Sequence, residues 1–436
     1  MKRSKAALKK VIAVMICVFF IFSLCSCVSK GRYKKRDLDE LIIVHAIGVD
    51  KTKNGKFEVT MQILSQQGSG SITPIDPSQS NSATVSQIAD TIPSAIERCE
   101  TDLGKKVFLG HSELVLLGEN IDDLRPIMEF LINSRGISLG VIMAYTDVTA
   151  KEILDIKVTS GTYSAEILKE IFEESEKNGT STECELIKHI DNMENTNGTT
   201  VLPIIKKIKD NKKTSNQKES ENADKGENFG DSSSDDKTKS GNEKLSDESG
   251  GDSKSDSSSQ SEGGGSGGGE GSQQSEVNAF YIDGAVIVKN RKPKGVITRD
   301  EVIGLSFLNN GIAEQTINAK LNDNMTVVCA GSVKKGTNVG IDGDRISIDV
   351  KLTISYEFYK TLSDKDKKEA AKKATEHIYS LCGKTINKVL KKENADLFEI
   401  HSLLNHNDYN LYRAYKENTE EIMKKVDISV NINPQI

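Results

Sequence analysis

His111, Ser112 and Glu113 come nearer than any other residues in this chain to a reactive group by type and spacing. A histidine and a carboxylate two positions apart on a strand share one face, where they can ligate a metal or pass a proton. No third ligand is evident, so the pair reads as structural packing. Two stretches imitate phosphate loops. Gly331 to Thr337 lacks the lysine of such a loop, and Cys382-Gly383-Lys384-Thr385 lacks its leading glycine. Both fall inside segments better explained as regular secondary structure. His401 and His406, five apart in an expected loop, read as surface histidines. No Gly-x-Ser-x-Gly elbow is present. The residues therefore assign no catalytic, cofactor-binding or metal-binding position, and an envelope hydrolase would lack a nucleophile.

One residue does carry a chemical expectation. Lys2, Arg3, Lys5, Lys9 and Lys10 precede an apolar run of about 14 residues, Val11 to Leu24, followed by Leu24-Cys25-Ser26-Cys27. The run is shorter than the roughly 20 residues of a spanning helix and suits a signal peptide over residues 1–26. Leucine, two small residues and a cysteine form a lipobox, in which Cys27 takes the diacylglyceryl group. Cys25 fits less well, because Leu24 is bulky for the position before the cleaved bond. Several acyl chains on one cysteine anchor stably where a single chain does not. A plain signal peptide or an uncleaved anchor is the alternative.

Removing the five cations of that segment takes the formal net charge from −6 to −11. Such a balance argues against sequence-independent nucleic-acid binding, which depends on neutralising phosphates. Cys99, Cys184, Cys329 and Cys382 are widely spaced in apolar stretches and read as buried thiols.

The elements around these residues predict an α/β to α+β fold: mixed β-sheets with packed helices in two or more domains. Residues 27–209 form an N-terminal α/β domain, with a helical subdomain from about 150, and residues 277–436 form a C-terminal one. Between them, residues 210–276 hold almost no apolar side chains, as in Asp231 to Asp236 and Gly263 to Gly271, and read as a disordered linker. Strands are predicted at Leu41 to Val49 and Phe57 to Leu64, joined at Asn54-Gly55. Thr84 to Cys99 has helical spacing, with Pro93 expected to kink it or end its first half. Ser112 to Leu117, Ile121 to Asn133 and Leu139 to Tyr145 make a βαβ unit with a parallel crossover. Helices follow at Ala165 to Glu176 and Glu183 to Met193. After the linker come strands at Phe280 to Val288 and Lys294 to Ile297, then a capping box, Thr298 to Glu301, opening a helix through Leu308. Strands at Thr326 to Val333 and Arg345 to Phe358 precede a long helix, Ser363 to Lys392. Its lysine face reads as solvated rather than membrane-bound. A helix at Tyr409 to Lys424 and a strand at Val426 to Ile432 close the chain.

These blocks resemble the Ger(x)C lipoproteins, the C subunits of spore nutrient-germinant receptors. The resemblance rests on Arg36 to Leu41 running into Ala46-Ile47-Gly48-Val49-Asp50 and Val59 to Ile63, and on Gly110 to Glu119. It continues in Gly284 to Val288, Gly295 to Glu301 with Gly304-Leu305, and Asn394 to Phe398. Tyr33 stands where tryptophan is common, no tryptophan occurs near the end, and the linker is unusually long. The resemblance implies a non-enzymatic subunit, lipid-anchored on the outer face of the inner spore membrane and required for nutrient-triggered germination. Its implied partners are a permease-like integral membrane subunit and a larger membrane subunit. It implies no cofactor and carries over no catalytic residue. A free-standing solute-binding membrane lipoprotein is the alternative function.

Overall fold

Leu114 to Leu117 are apolar without alternation, and all four are fully buried. A strand covered on both faces needs no polar side, and these residues form the middle of the larger of two sheets. In the computed structural model, residue 15 and residues 37–64, 82–134, 136–156, 164–195, 198–208, 280–309, 312, 314–321, 324–343, 345–416 and 419–436 are described. Cys27, the signal segment apart from Met15, and the linker lie outside them.

The large sheet contains β1 (Leu41–Lys51), β2 (Phe57–Leu64), β3 (Ser82–Ala89), β4 (Lys106–Phe108), β5 (Leu114–Leu117), β6 (Ile142–Thr146), β7 (Thr199–Lys207), β8 (Phe280–Lys289) and β9 (Lys292–Ile297). Its order is β3-β2-β1-β5-β6-β7-β8-β9, with β4 also on β1. β1, β5, β6 and β7 run parallel, while β2 and β3 on one side and β8 and β9 on the other run antiparallel. The linker thus separates two paired strands: β7 before it lies beside β8 after it, Val201 opposite Ile287.

The faces separate by alternation. Val115, Leu117, Met143 and Tyr145 join a core under α1 (Ile92–Leu103), α2 (Arg125–Asn133) and α5 (Leu186–Asn195). Leu114, Leu116, Ile142 and Ala144 join another under α3 (Ala150–Leu154) and α4 (Ser164–Lys177). Each fully buried leucine or valine contributes about 1.5–3 kcal/mol.

The second sheet has the order β10-β11-β12-β13, formed by β10 (Gln315–Leu321), β11 (Asn324–Asp342), β12 (Arg345–Phe358) and β13 (Val426–Gln435). Along β12, Ile346, Ile348, Val350, Leu352 and Ile354 are buried, and Arg345, Ser347, Asp349 and Lys351 between them are exposed. This sheet packs one face, against α6 (Arg299–Asn309) and α7 (Asp364–Ile386). Beyond α7, Asn387–Lys392 winds as a π-helix, followed by α8 (Ile400–Asn407), α9 (Tyr409–Tyr415) and α10 (Thr419–Met423).

Several expectations are corrected. Thr84 to Cys99 is not one kinked helix but β3 followed by α1. Pro93 sits in the first turn of α1, where it lacks no needed N–H, and Thr91 caps that turn by accepting from the Ser94 N–H. Likewise α2 begins at Arg125 with Pro126 in its first turn, not at Ile121. The expected helix Tyr409 to Lys424 is two, α9 and α10, and α8 ahead of them was expected as a loop. The short elements β4 and α3 and the strands β7 and β10 were not anticipated.

Candidate functional site

The residues that could do chemistry occupy two ends of the large sheet. At the carboxyl ends of β1 and β5, Asp50 is buried and accepts from the Ala150 N–H at 2.7 Å and the Lys151 N–H at 3.1 Å. It thereby satisfies orphan donors at the start of α3. Burial pushes its carboxyl above the usual range, opposed by the two backbone donors. The helix approaches so closely that a Cβ on Gly118 would lie 1.8 Å from Asp50 Oδ1, and one on Gly48 3.0 Å from Ala150 Cβ. Gln62, also buried, donates from Nε2 to the Leu154 carbonyl at 3.2 Å and accepts from the Ala165 N–H at 3.2 Å. Asp50 and Gln62 are spent on joining α3 and α4 to the sheet.

At the opposite, amino ends of β5 and β6 lies a polar cavity of about 290 Å³, lined by His111, Ser112, Glu113, Lys169, Glu173, Glu176 and other residues. His111 is exposed and meets Phe108 edge-on, with ring centroids 5.7 Å apart. Ser112 is buried and donates to the Val44 carbonyl at 3.4 Å. Glu113 is paired with Lys169 Nζ at 3.0 Å; that hydrogen bond holds the lysine ammonium above its ordinary pKa. Burial lowers His45 nearby, with Glu113 opposing. Glu176 is raised by burial and by Glu183 and Glu185, and burial with Glu176 pushes the Cys184 thiol far up, favouring its protonated form. The structure brings His111, Ser112 and Glu113 to one rim, but Glu113 answers a lysine and Ser112 a backbone carbonyl. Among the described residues, no group of three or more histidine, cysteine or acidic side chains is placed to hold a metal ion.

In the second half the imitated phosphate loops are ordinary elements. Gly331 to Thr337 lies in β11, and Cys382 to Thr385 in α7, whose N–H groups serve the helix. Thr385 is buried and donates to the Glu301 carbonyl at 2.8 Å. A Cβ on Gly304 would lie 2.2 Å from Thr385 Oγ1 and 2.6 Å from the Leu381 carbonyl oxygen, so glycine lets α6 touch α7. The capping box is reciprocal: the Thr298 N–H donates to Glu301 Oε2 at 2.8 Å and the Glu301 N–H to Thr298 Oγ1 at 3.4 Å. Cys99, Cys184 and Cys382 are buried free thiols.

Two functional-looking groups escaped the sequence reading. Asp396 is buried and accepts from the N–H groups of Phe398, Ile400 and His401, at 3.3, 2.9 and 2.9 Å, fixing the start of α8; burial pushes its carboxyl up to about 6. His189 is buried between α5 and β7, with Nδ1 3.2 Å from Thr200 Oγ1, and burial lowers it to about 4. A polar residue flanked by apolar ones, as Asp396 is by Ala395 and Leu397, was the available signal. His401 lies in α8, not in a loop, half-buried and edge-on to Tyr412 at 4.8 Å, while His406 is exposed. Among the described residues no helix is long and apolar enough to cross a membrane.

A family model described as the spore germination protein N-terminal domain matches residues 34–207. A second, described as spore germination B3/GerAC-like, C-terminal, matches residues 282–436. No curated protein matches the chain. The crystal structure of the GerBC protein is similar over 89% of this chain and 96% of that one, at 11% identity and a TM-score of 0.49.

Proposed function

The chain belongs to the Ger(x)C family of spore germination proteins, and we propose that it serves as the C subunit of a nutrient-germinant receptor. The observation that carries this reading is the ordered match of both family domains on either side of the linker. The subunit works without catalysis. Its polar signature residues hold helices to sheets, and its role is to assemble with a permease-like integral membrane subunit and a larger membrane subunit. Cys27 carries the lipid anchor, which keeps the chain on the outer face of the inner spore membrane. Acylated and tethered, it needs no spanning helix of its own.

The test is dipicolinate release from spores lacking the chain, exposed to a panel of amino acids, sugars and salts beside a trigger that bypasses nutrient receptors. Loss of a nutrient response with the bypass intact is expected. Normal release to every nutrient, in a strain without a second copy of the family, would contradict the reading. For the anchor, Cys27→Ala should abolish palmitate labelling and leave the precursor uncleaved; persistent labelling would move the anchor to another cysteine.

A further inference from the structure

The outer side of an edge strand is a row of unpaired N–H and C=O groups that another chain can join. Three of the four edge strands in the two sheets are blunted against this. On β3, the Arg98 guanidinium donates to the Ile88 carbonyl at 2.6 Å. On β9, Pro293 brings no N–H and stands between Lys292 and Lys294. On β10, the Lys373 ammonium donates to the Lys320 carbonyl.

β13 is the exception. Among the described residues no strand pairs with its outer side. Lys391 donates to the Val426 carbonyl at 2.8 Å where the strand begins, and Pro434 stands near its end. Between them, Asp427 to Asn433 include no proline, glycine, lysine or arginine. That run offers roughly 23 Å of plain strand edge. The side chains along it are incompletely covered too. Ile428, Val430 and Ile432 pair with the buried Ile348, Val350 and Leu352 of β12 and share their face, yet each is only half-buried. The apolar layer over β12 thins at β13. On the other face Ser429, Asn431 and Asn433 are exposed and uncharged.

We propose that β13 pairs with β13 of a second copy of this chain, antiparallel about a two-fold axis at Val430. The strand is complementary to itself in that register. Val430 meets its own copy, Ile428 meets Ile432, Ser429 meets Asn431, and Asp427 meets Asn433. Aliphatic side chains face aliphatic ones, amides face a hydroxyl or a carboxylate, and no like charges are opposed. The two half-buried aliphatic rows come together on one face and cover each other. A slip by one residue sets Ile428 against Asn431 and loses that match. So short an edge makes a weak pair, dissociating on the order of 10 μM. Chains tethered to one membrane through Cys27, as proposed above, meet at a high effective concentration. The pairing itself does not depend on the receptor reading.

The experiment treats membranes carrying the full-length chain with a short bismaleimide that joins neighbouring thiols. Wild-type chain, whose Cys99, Cys184 and Cys382 are buried, gives the background. Val430→Cys should yield a product of twice the chain's mass, and Asn338→Cys, exposed on β11 away from the edge, should stay at background. Adding Ser429→Lys with Asn431→Lys to Val430→Cys opposes like charges across the axis and should cut the product at least about tenfold. Adding Ser429→Lys with Asn431→Asp instead opposes unlike charges and should restore it, at equal amounts of chain. A Val430→Cys product no stronger than that of Asn338→Cys overturns the pairing. So does a product that survives the two lysine substitutions, or one that joins Val430→Cys to a different protein in place of its own copy. A chain that cross-links yet is dispensable for germination removes the receptor reading alone; one that is needed but does not cross-link removes this pairing alone.

Discussion

The two sheets solve burial differently. β5 is covered on both faces and reads as an unbroken apolar run, whereas β12 is covered on one and alternates strictly. The difference decides where polar side chains can go. On β12 they go to water at every second position. In the doubly covered middle of the large sheet they have nowhere to go: Asp50 and Gln62 are satisfied by backbone groups of the helices that cover them, while buried Thr60 pairs with Ser86 and buried Thr200 with His189. Asp50 and Gln62 are therefore joints between sheet and helix, and substitutions can test how far the contrast holds.

The largest effect should come from the doubly covered strand. Leu116→Ala should cost about 3–5 kcal/mol, read from the urea midpoint, and Lys351→Ala on the open face of β12 under about 0.5 kcal/mol. Equal costs would erase the contrast. Next come the close approaches. Gly118→Ala and Gly304→Ala each place a Cβ within 2.2 Å of an oxygen and should cost about 2–3 kcal/mol. Gly383→Ala, where a Cβ meets nothing within 4 Å, should be neutral or slightly stabilising. A smaller effect is due at the caps. Asp396→Ala leaves three backbone donors without their acceptor and should cost about 2 kcal/mol, against almost nothing for exposed Asp349→Ala.

The smallest prediction concerns pH. His189 is lowered to about 4 by burial, so the folded state holds it neutral while the unfolded chain protonates near 6.5. Its stability contribution is complete above pH 6.5 and is lost as pH falls toward 4, at roughly 1.4 kcal/mol per pH unit. Asp396 has the opposite slope. Its carboxyl is raised to about 6, so its ionisation costs stability as pH climbs from 3.8 through 6. The difference between the wild type and His189→Gln isolates the histidine, and the wild type's advantage should be largest near neutral pH and shrink as pH falls from 6.5 toward 4. A constant difference would show that His189 takes up its proton in the folded state.

How legible this was depended on whether a signal was local. The alternation of β12, the Thr298–Glu301 capping box and the parallel crossover from β5 to β6 could be read directly, because period and cap chemistry sit within a few residues. The β3–α1 boundary was misread because Val85, Ile88 and Ala89 fit a helical period as well as a strand. Only the pairing of β3 with β2 decides between them. The joints were visible as family-like blocks but not as joints. That Asp50 meets Ala150, and Gly304 meets Thr385, is written in contacts between residues some 80 to 100 positions apart. His111, Ser112 and Glu113 read from spacing as packing residues on a strand, whereas they precede β5, and their partners Lys169 and Val44 cannot be named from spacing.

The proposed receptor role requires that the polar signature of this chain builds the subunit rather than performing a reaction. The most direct test is nutrient-triggered dipicolinate release from spores whose sole copy carries His111→Ala with Glu113→Gln, compared with spores carrying Gly304→Ala, the amount of chain being measured in each. Release should follow the amount of chain: normal in the first strain, and reduced with the protein level in the second. Release abolished in the first strain while the chain stays at its wild-type level would contradict the account and mark His111 and Glu113 as reactive groups.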